Sequence, residues 1–291
     1  MTPAELDHEV RQLELGTRRL VRNLVAGEYA SAFRGRGVEF ADVREYQVGD
    51  DVRTIDWRVT ARLGTMYVRR YREERDLTLV LAVDCSASGT VGSDLRTKRE
   101  LATRVAAVLA LAAARSNDRI GALLFTDRVE RFVAFGKGRR HALRVVRELL
   151  AFTPAGRGTS LRAAVDFLDP VLRHRAAVVL LSDFESADAE GALARLSGRH
   201  DVIAAHLTDR IEQTLPAVGL LRLWDPESGE WRLIDSSSPA VRAHLAQAQR
   251  AADAALTRLV FQSGADLLRL DASVPFAEPL LEFFRHRSRR R

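Results

Sequence analysis

The hydrophobic pattern of the chain changes character at residue 77. Beyond this point, short apolar runs that suit strands alternate with stretches of helical periodicity. Strands are predicted at 77–83, 119–125, 176–182, 200–207 and 266–270, and helices at 94–115, 139–152, 160–172 and 188–197. This alternation is typical of a doubly wound α/β fold with a mostly parallel sheet and helices on both faces. Residues 128–135 predict an antiparallel edge strand, and residues 219–235 predict an inserted β-hairpin.

The residues before 77 follow a different pattern. Apolar positions recur at helical intervals from residue 4 to residue 26, after a capping-box pair, Thr2 and Glu5, and Gly27 is expected to end this helix. Residues 28–76 are rich in glycine and in mixed charge, which is typical of short strands and tight turns. Three regions follow: an N-terminal helix and β-rich module (1–76), an α/β domain with the hairpin (77–271), and a short helix with an Arg-rich tail (272–291).

The formal net charge of +6 is concentrated at the C-terminal end. Residues 285–291 contain five arginines and no acid, so removing them leaves a body with a formal charge of +1. We therefore expect no specific nucleic-acid binding by the folded body. The tail is either a disordered solubilising end or a contact for anionic lipid, RNA or an acidic partner.

Cysteine usage and the length of the apolar runs predict the cellular compartment of the protein. Cys85 is the only cysteine, so the chain has no internal disulfide and no thiolate cluster for zinc. The longest apolar run, residues 105–114, is about half of the ~20 residues that span a bilayer, and the N-terminus has acids where a signal peptide would be basic. We expect a cytoplasmic protein, with peripheral membrane contact through the tail as a further option.

Oxygen-bearing side chains follow the two most apolar predicted strands. Asp84, Ser86 and Ser88 come at the end of the first strand, Asp183 follows the second, and Thr159 lies between them in a glycine-flanked loop. Ligands of open α/β sheets bind beyond the carboxyl ends of the strands, so we expect these side chains to converge. Oxygen donors without His or Cys suit Mg²⁺ or Mn²⁺, and residues two apart in an extended loop face the same way.

Each of these residues also has an ordinary structural explanation. Ser and Asp commonly cap helices, and either Thr159 or Ser160 could simply begin the helix that follows. A second functional hypothesis is a metal-dependent phosphoester hydrolase in which Asp84 or Asp183 acts as the base. No His or Lys is expected beside the acids, and this disfavours hydrolysis, so we expect a binding protein rather than an enzyme.

The combination of these residues resembles a known metal site. Asp84-x-Ser86-x-Ser88, followed by Thr159 and Asp183, is similar to the metal-ion-dependent adhesion site of von Willebrand factor A-like domains, over roughly residues 77–271. The resemblance implies that the two serines and the threonine ligate the metal directly, while the two aspartates act directly or through water. Neutral hydroxyl ligands leave much of the ion's charge uncompensated, so we expect its open position to take an Asp or Glu from a partner.

The preceding segment resembles a bacterial family signature, that of domain of unknown function 58. The matching stretches are RGRGVEF at 34–40, REY at 44–46, GDDVRTIDW at 49–57 and AR at 61–62. The family joins such a segment to a von Willebrand A-like domain, and its members commonly occur beside MoxR-type AAA+ ATPases. The resemblance therefore implies an adaptor or co-chaperone whose partner is that ATPase or its substrate.

Overall fold

The structure is a computed structural model that describes residues 2–26, 29–33, 38–73, 77–92, 95–186, 188–213, 216–224 and 229–290. Contacts divide the chain into two compact units, one of residues 1–33 with 78–291 and the other of residues 34–77. The first helix, α1 (Pro3–Val25), belongs to the larger unit, whereas the sequence-based division grouped it with residues 28–76. The helix end expected at Gly27 lies outside the described residues.

The N-terminal helix forms for the reasons that the sequence indicates. The Thr2 hydroxyl accepts a hydrogen bond from the Glu5 amide, and the Glu5 carboxylate accepts one from the Thr2 amide, which completes the capping box. Val10 and Leu13 pack against Ala107 of the α/β core. A single helical turn, α2 (Tyr29–Ala32), follows in the same unit.

The described part of the smaller unit contains a two-stranded antiparallel sheet, a 3-10 turn (Val52–Thr54) and a short α-helix. Its elements are β1 (Val38–Glu45), α3 (Trp57–Leu63) and β2 (Tyr67–Glu73). The Asp56 carboxylate caps α3 by accepting from the backbone amides of Arg58 and Val59, and Gly64 ends the helix in the left-handed conformation that favours glycine. The strands and turns expected for this segment are confirmed, although residues 34–37 of the family signature lie outside the described residues.

The larger unit contains a six-stranded sheet and a hairpin. Its strands are β3 (Thr78–Asp84), β4 (Arg119–Phe125), β5 (Val129–Lys137), β6 (Ala177–Ser182), β7 (Asp201–Thr208), the hairpin strands β8 (Leu220–Trp224) and β9 (Trp231–Asp235), and β10 (Asp266–Asp271). The sheet order is β10-β7-β6-β3-β4-β5, in which only β5 is antiparallel to its neighbour. The predicted strands are confirmed to within two residues.

Helices cover both faces of this sheet. They are α4 (Lys98–Arg115), α5 (Gly138–Ala151), α6 (Leu161–Val171), α7 (Ala189–Ser197), α8 (Arg210–Gln213), α9 (Pro239–Ser263) and α10 (Ala277–Arg290). Val80 and Ala82 of β3 pack with residues of α6 and α7, while α4 contacts β3 and packs against α1 and α5. Successive residues of a strand face opposite sides of the sheet. Because both sets of residues are buried here, both faces are covered by helices, as in an α/β architecture. Among the described residues, no helix is long and apolar enough to cross a bilayer.

The arginine-rich end of the chain is a helix rather than the disordered tail that the sequence left open. Helix α10 continues to Arg290 instead of ending near residue 284, and Arg287 is only 4% exposed. Leu280, Phe284 and Arg287 fall on one helical stripe, so the arginine occupies the next buried position of an apolar face. Its guanidinium pairs with Asp201 and lies 3.2 Å from Asp266.

We predict that replacing Arg287 destabilises the fold. Arg287→Met removes a cation from beside buried Asp201, and breaking a buried ion pair from one side costs about 3–5 kcal/mol. Urea unfolding of Arg287→Met should therefore show a lower free energy of unfolding than wild type. The control is Arg289→Met, at an exposed position of the same helix, which should change little. Equal stability of the two variants would contradict the prediction.

Candidate functional site

Two buried carboxylates lie at the carboxyl edge of the sheet. Asp84 is the last residue of β3 and Asp183 follows the last residue of β6, and these two strands are parallel neighbours. Asp84 is 6% exposed and Asp183 is 9% exposed. Every residue of β6 is buried, and so is every residue of β3 after Thr78, so the sheet delivers both acids to the rim of a water-poor core.

Hydrogen bonds to Asp84 join three loops. Its Oδ1 accepts from the Ser86 amide at 2.9 Å, and its Oδ2 accepts from the Ser182 hydroxyl at 2.6 Å. The Thr159 hydroxyl also donates to Oδ2, at 3.4 Å. The loops after β3 and β6 and the loop before α6 therefore meet at one carboxylate, as the sequence predicts for the carboxyl edge.

The two serines of the motif face the same point. Their Oγ atoms are 3.0 Å apart, and the Ser88 side chain also hydrogen-bonds Asp183. The two serines thus meet, but not through the extended loop that the sequence predicts, because a 3-10 helix, Ala87–Thr90, begins directly after Ser86 and contains Ser88. Both serines, Asp84 and Asp183 line a cavity of about 10 Å³, the space of one water molecule or small ion. Thr159 reaches the site through Asp84 and does not line this cavity.

Backbone contacts hold the Thr159 loop against the other loops. The Ala87 amide donates to the Arg157 carbonyl at 2.8 Å, and the Ser160 amide donates to the Thr126 carbonyl at 2.9 Å. Gly156 lies so close to the Thr126 side chain that a Cβ atom would clash with it. The Ser160 hydroxyl accepts from the Ala163 amide and caps α6, so Ser160, not Thr159, begins this helix. The Thr159 hydroxyl donates to Asp84 instead of capping the helix.

A lysine that the sequence reasoning missed lies inside the site. The Lys98 ammonium is 2.9 Å from Oδ2 of Asp183 and 2.6 Å from Oε1 of Glu212, and the lysine side chain is 2% exposed. The expectation that no lysine accompanies the acids was wrong. One signal was available, because Lys98 and Lys137 are the only lysines among 45 basic residues. Ser182 and Arg99, which also line the cavity, were missed as well.

The charges of the site are unevenly balanced. Burial, together with repulsion from Asp183, raises the pKa of Asp84 from 3.8 to about 6. Burial also opposes ionisation of Asp183, but the Lys98 ammonium outweighs it and holds the pKa of that carboxyl below its usual value. Desolvation would lower the pKa of Lys98, yet Asp183 and Glu212 raise it above the usual value. Asp84 therefore carries the uncompensated part of the negative charge.

The donor set fits a small divalent cation. Adjacent oxygens of an octahedron with bonds of 2.0–2.1 Å lie roughly 2.9 Å apart, which is close to the 3.0 Å between the hydroxyls of Ser86 and Ser88. Burial is the main cause of the raised pKa of Asp84, with repulsion from Asp183 second, and a cation beside this carboxyl would oppose both by favouring its charged form. Among the described residues, no group of three or more His, Cys, Asp or Glu side chains could hold a metal ion, so the candidate site, with two carboxylates, depends on its hydroxyls for further ligands.

The fold and the site define a class of protein: an α/β protein with an acidic, hydroxyl-rich site at the carboxyl edge of a mostly parallel sheet. The family model described as "Protein of unknown function DUF58" matches residues 42–255. The chain belongs to this family.

The relatives of the chain are uncharacterized proteins of mycobacteria. Those of Mycobacterium bovis and Mycobacterium tuberculosis are each 33% identical to it over 283 residues, which cover 96% of this chain and 89% of the relative. Among solved structures, an aerotolerance-related membrane protein from Bacteroides fragilis superposes with a TM-score of 0.50 at 15% identity, over 74% of this chain and 100% of that chain. BatB from Bacteroides thetaiotaomicron superposes with a TM-score of 0.49 at 14% identity, over 73% and 99%. The likeness to the B. fragilis structure concerns the fold alone.

We predict that Asp84→Asn stabilises the protein at neutral pH in the absence of metal. The pKa of Asp84 in the folded state, about 6, lies above the unfolded value near 3.8. The folded state therefore binds this proton more tightly than the unfolded state. The contribution of the protonated carboxyl to the free energy of unfolding is fully present below pH 4 and is lost as the pH rises through 6. Ionisation of this carboxyl costs roughly 3 kcal/mol, which the amide avoids. Thermal melts in EDTA from pH 4 to 7.5 should show Tm falling more steeply for wild type than for Asp84→Asn, and parallel curves would contradict this.

Proposed function

We propose that this protein is a non-catalytic binding module with a von Willebrand A-like domain. In this proposal Asp84, Ser86, Ser88, Thr159 and Asp183 hold Mg²⁺ or Mn²⁺, directly or through water. The observation that supports it is an ion-sized cavity lined by Asp84, Ser86, Ser88 and Asp183, beside which the Thr159 hydroxyl donates to Asp84. When bound, the ion supplies an open coordination position that can accept a carboxylate oxygen from another molecule.

The charges around the cavity favour a carboxylate as the partner's group. Three of the five proposed donors are neutral hydroxyls, so they do not cancel the charge of a divalent ion. One of the two aspartates, Asp183, is already neutralised by the Lys98 ammonium. An ion held there keeps positive charge to offer, and an Asp or Glu side chain of a partner protein is the ligand that matches it.

The hydrolase hypothesis has weaker support. Lys98 is the side chain that could have served as a base, but its two ion pairs and its raised pKa keep it protonated. Asp84 accepts hydrogen bonds on both of its oxygens, from Ser86 and Ser182. The raised pKa of Asp84 would suit a base, but both of its oxygens already accept hydrogen bonds and Asp183 is paired with Lys98, so the geometry supports binding better than bond cleavage.

The proposed partner is a MoxR-type AAA+ ATPase or its substrate, with this chain as adaptor or co-chaperone in the cytoplasm. Membership of the DUF58 family supports this proposal, because the family resemblance implies an association with such ATPases. A contact of the Arg-rich end with anionic membrane remains part of the proposal, and it would use the exposed arginines of α10, because Arg287 is buried.

The metal site is tested by measuring Mg²⁺ affinity with isothermal titration calorimetry. Asp84→Ala removes a charge and Ser88→Ala removes only a hydroxyl, and we expect each to weaken Mg²⁺ binding by about tenfold or more, since each removes a ligand from a small site. The control is Asp166→Ala, which removes an exposed carboxylate from α6 and should bind Mg²⁺ like wild type. Equal affinity of wild type and Asp84→Ala would refute the proposed site.

The partner is tested by affinity capture. Tagged wild-type protein should retain the AAA+ ATPase in the presence of Mg²⁺, because the ion would bridge the two proteins, and Ser88→Ala should retain much less. Both samples contain the same concentration of Mg²⁺, so the ATPase is in the same nucleotide state in both. EDTA would change that nucleotide state as well as the proposed metal site. Equal retention by wild type and Ser88→Ala would show that the contact does not use this site.

A further inference from the structure

Lys98 joins two distant parts of the chain inside the candidate site. It is the first residue of α4, following the Thr97 cap, and its ammonium lies between Asp183 after β6 and Glu212 in α8. The lysine side chain is 2% exposed, whereas that of Glu212 is 26% exposed. The ammonium also lines the same cavity as Asp84, Ser86 and Ser88. A fixed cation thus occupies the environment that a metal ion would enter.

The formal charges of the cluster can be counted. Asp84, Asp183 and Glu212 contribute −3, while Lys98 and Arg99, which lines the same cavity, contribute +2. The sum is −1, and a divalent ion changes it to +1. Without Lys98 the corresponding sums would be −2 and 0. The lysine therefore determines whether the ion-loaded site keeps a positive charge for a partner's carboxylate.

We propose that Lys98 is a specificity-determining residue of this site, whose fixed charge keeps the affinity for divalent cations low. This inference rests on the proposed function, because it assumes that a divalent ion binds beside Asp84 and Asp183. Burial strengthens the effect, since charges in a water-poor environment interact much more strongly than charges in bulk water. Glu212 positions the ammonium and offsets part of its charge, so the two residues should act on ion binding in opposite directions.

A series of charge variants tests the inference. Titration calorimetry with MgCl₂ at pH 7.5 compares the full-length wild type (−1), Lys98→Met (−2), Glu212→Gln (0) and the double variant Lys98→Met/Glu212→Gln (−1). We expect Lys98→Met to bind Mg²⁺ about tenfold more tightly than wild type and Glu212→Gln to bind it about tenfold more weakly. The double variant, whose net charge equals that of wild type, should return to within about threefold of wild-type affinity.

A purely structural role of Lys98 gives a different result. If the lysine only supports the loops, Lys98→Met and the double variant will both bind Mg²⁺ more weakly than wild type, and this outcome overturns the inference. Circular dichroism establishes whether each variant is folded. If Lys98→Met does not fold, Glu212→Gln decides, because it keeps the Lys98–Asp183 pair, and wild-type affinity in that variant also overturns the inference.

The same titrations separate this inference from the proposed function. Equal Mg²⁺ affinity of wild type and Asp84→Ala would remove the metal site itself, and the inference with it. Loss of affinity in Asp84→Ala together with no gain in Lys98→Met would leave the metal site standing and overturn only the role of Lys98.

Discussion

The repulsion between two buried carboxylates is the constraint around which the candidate site is built. Parallel pairing of β3 with β6 places Asp84 and Asp183 at neighbouring strand ends, where little water remains to screen them. The site lowers the free-energy cost of placing two negative charges there in two ways. Asp183 receives the ammonium of Lys98, and Asp84 receives hydrogen bonds from the Ser86 amide and the Ser182 hydroxyl. The raised pKa of Asp84 shows that the compensation is incomplete.

Incomplete compensation is consistent with a site that binds a ligand rather than one that only stabilises the fold. A structural role would be met better by an amide or by an apolar side chain, because replacing a buried charge with a neutral group is often neutral or favourable for stability. Position 84 instead holds a carboxylate that accepts hydrogen bonds from the hydroxyls of Thr159 and Ser182. If a cation binds there as proposed, it would add to the stability of the larger unit, because a ligand that binds only the folded state stabilises it.

The residues that share a strand end could be predicted from the sequence, because their positions depend on local rules. The end of β3 places Asp84 at the carboxyl edge with Ser86 and Ser88 close behind it, and the α/β pattern places Asp183 on the same edge of the sheet. The 3-10 turn that brings the two serines together was not predicted, because the spacing of the motif indicates an extended loop there. The exposure of charged residues was harder to predict. Arg287 lies on the buried stripe of α10. The run of arginines predicted an exposed tail there, since arginine is usually exposed.

The position of Lys98 could not be predicted from local rules, because it depends on the packing of α4 and α8 around the strand ends. Glu212 is 114 residues away in the chain, and no spacing rule connects the two. The residue type still carries information. The Lys98 ammonium is a compact charge that contacts two carboxylates at once, whereas a guanidinium presents five donors in a planar fork. In a chain whose basic residues are almost all arginine, this compact contact is a physical reason for a lysine at this position.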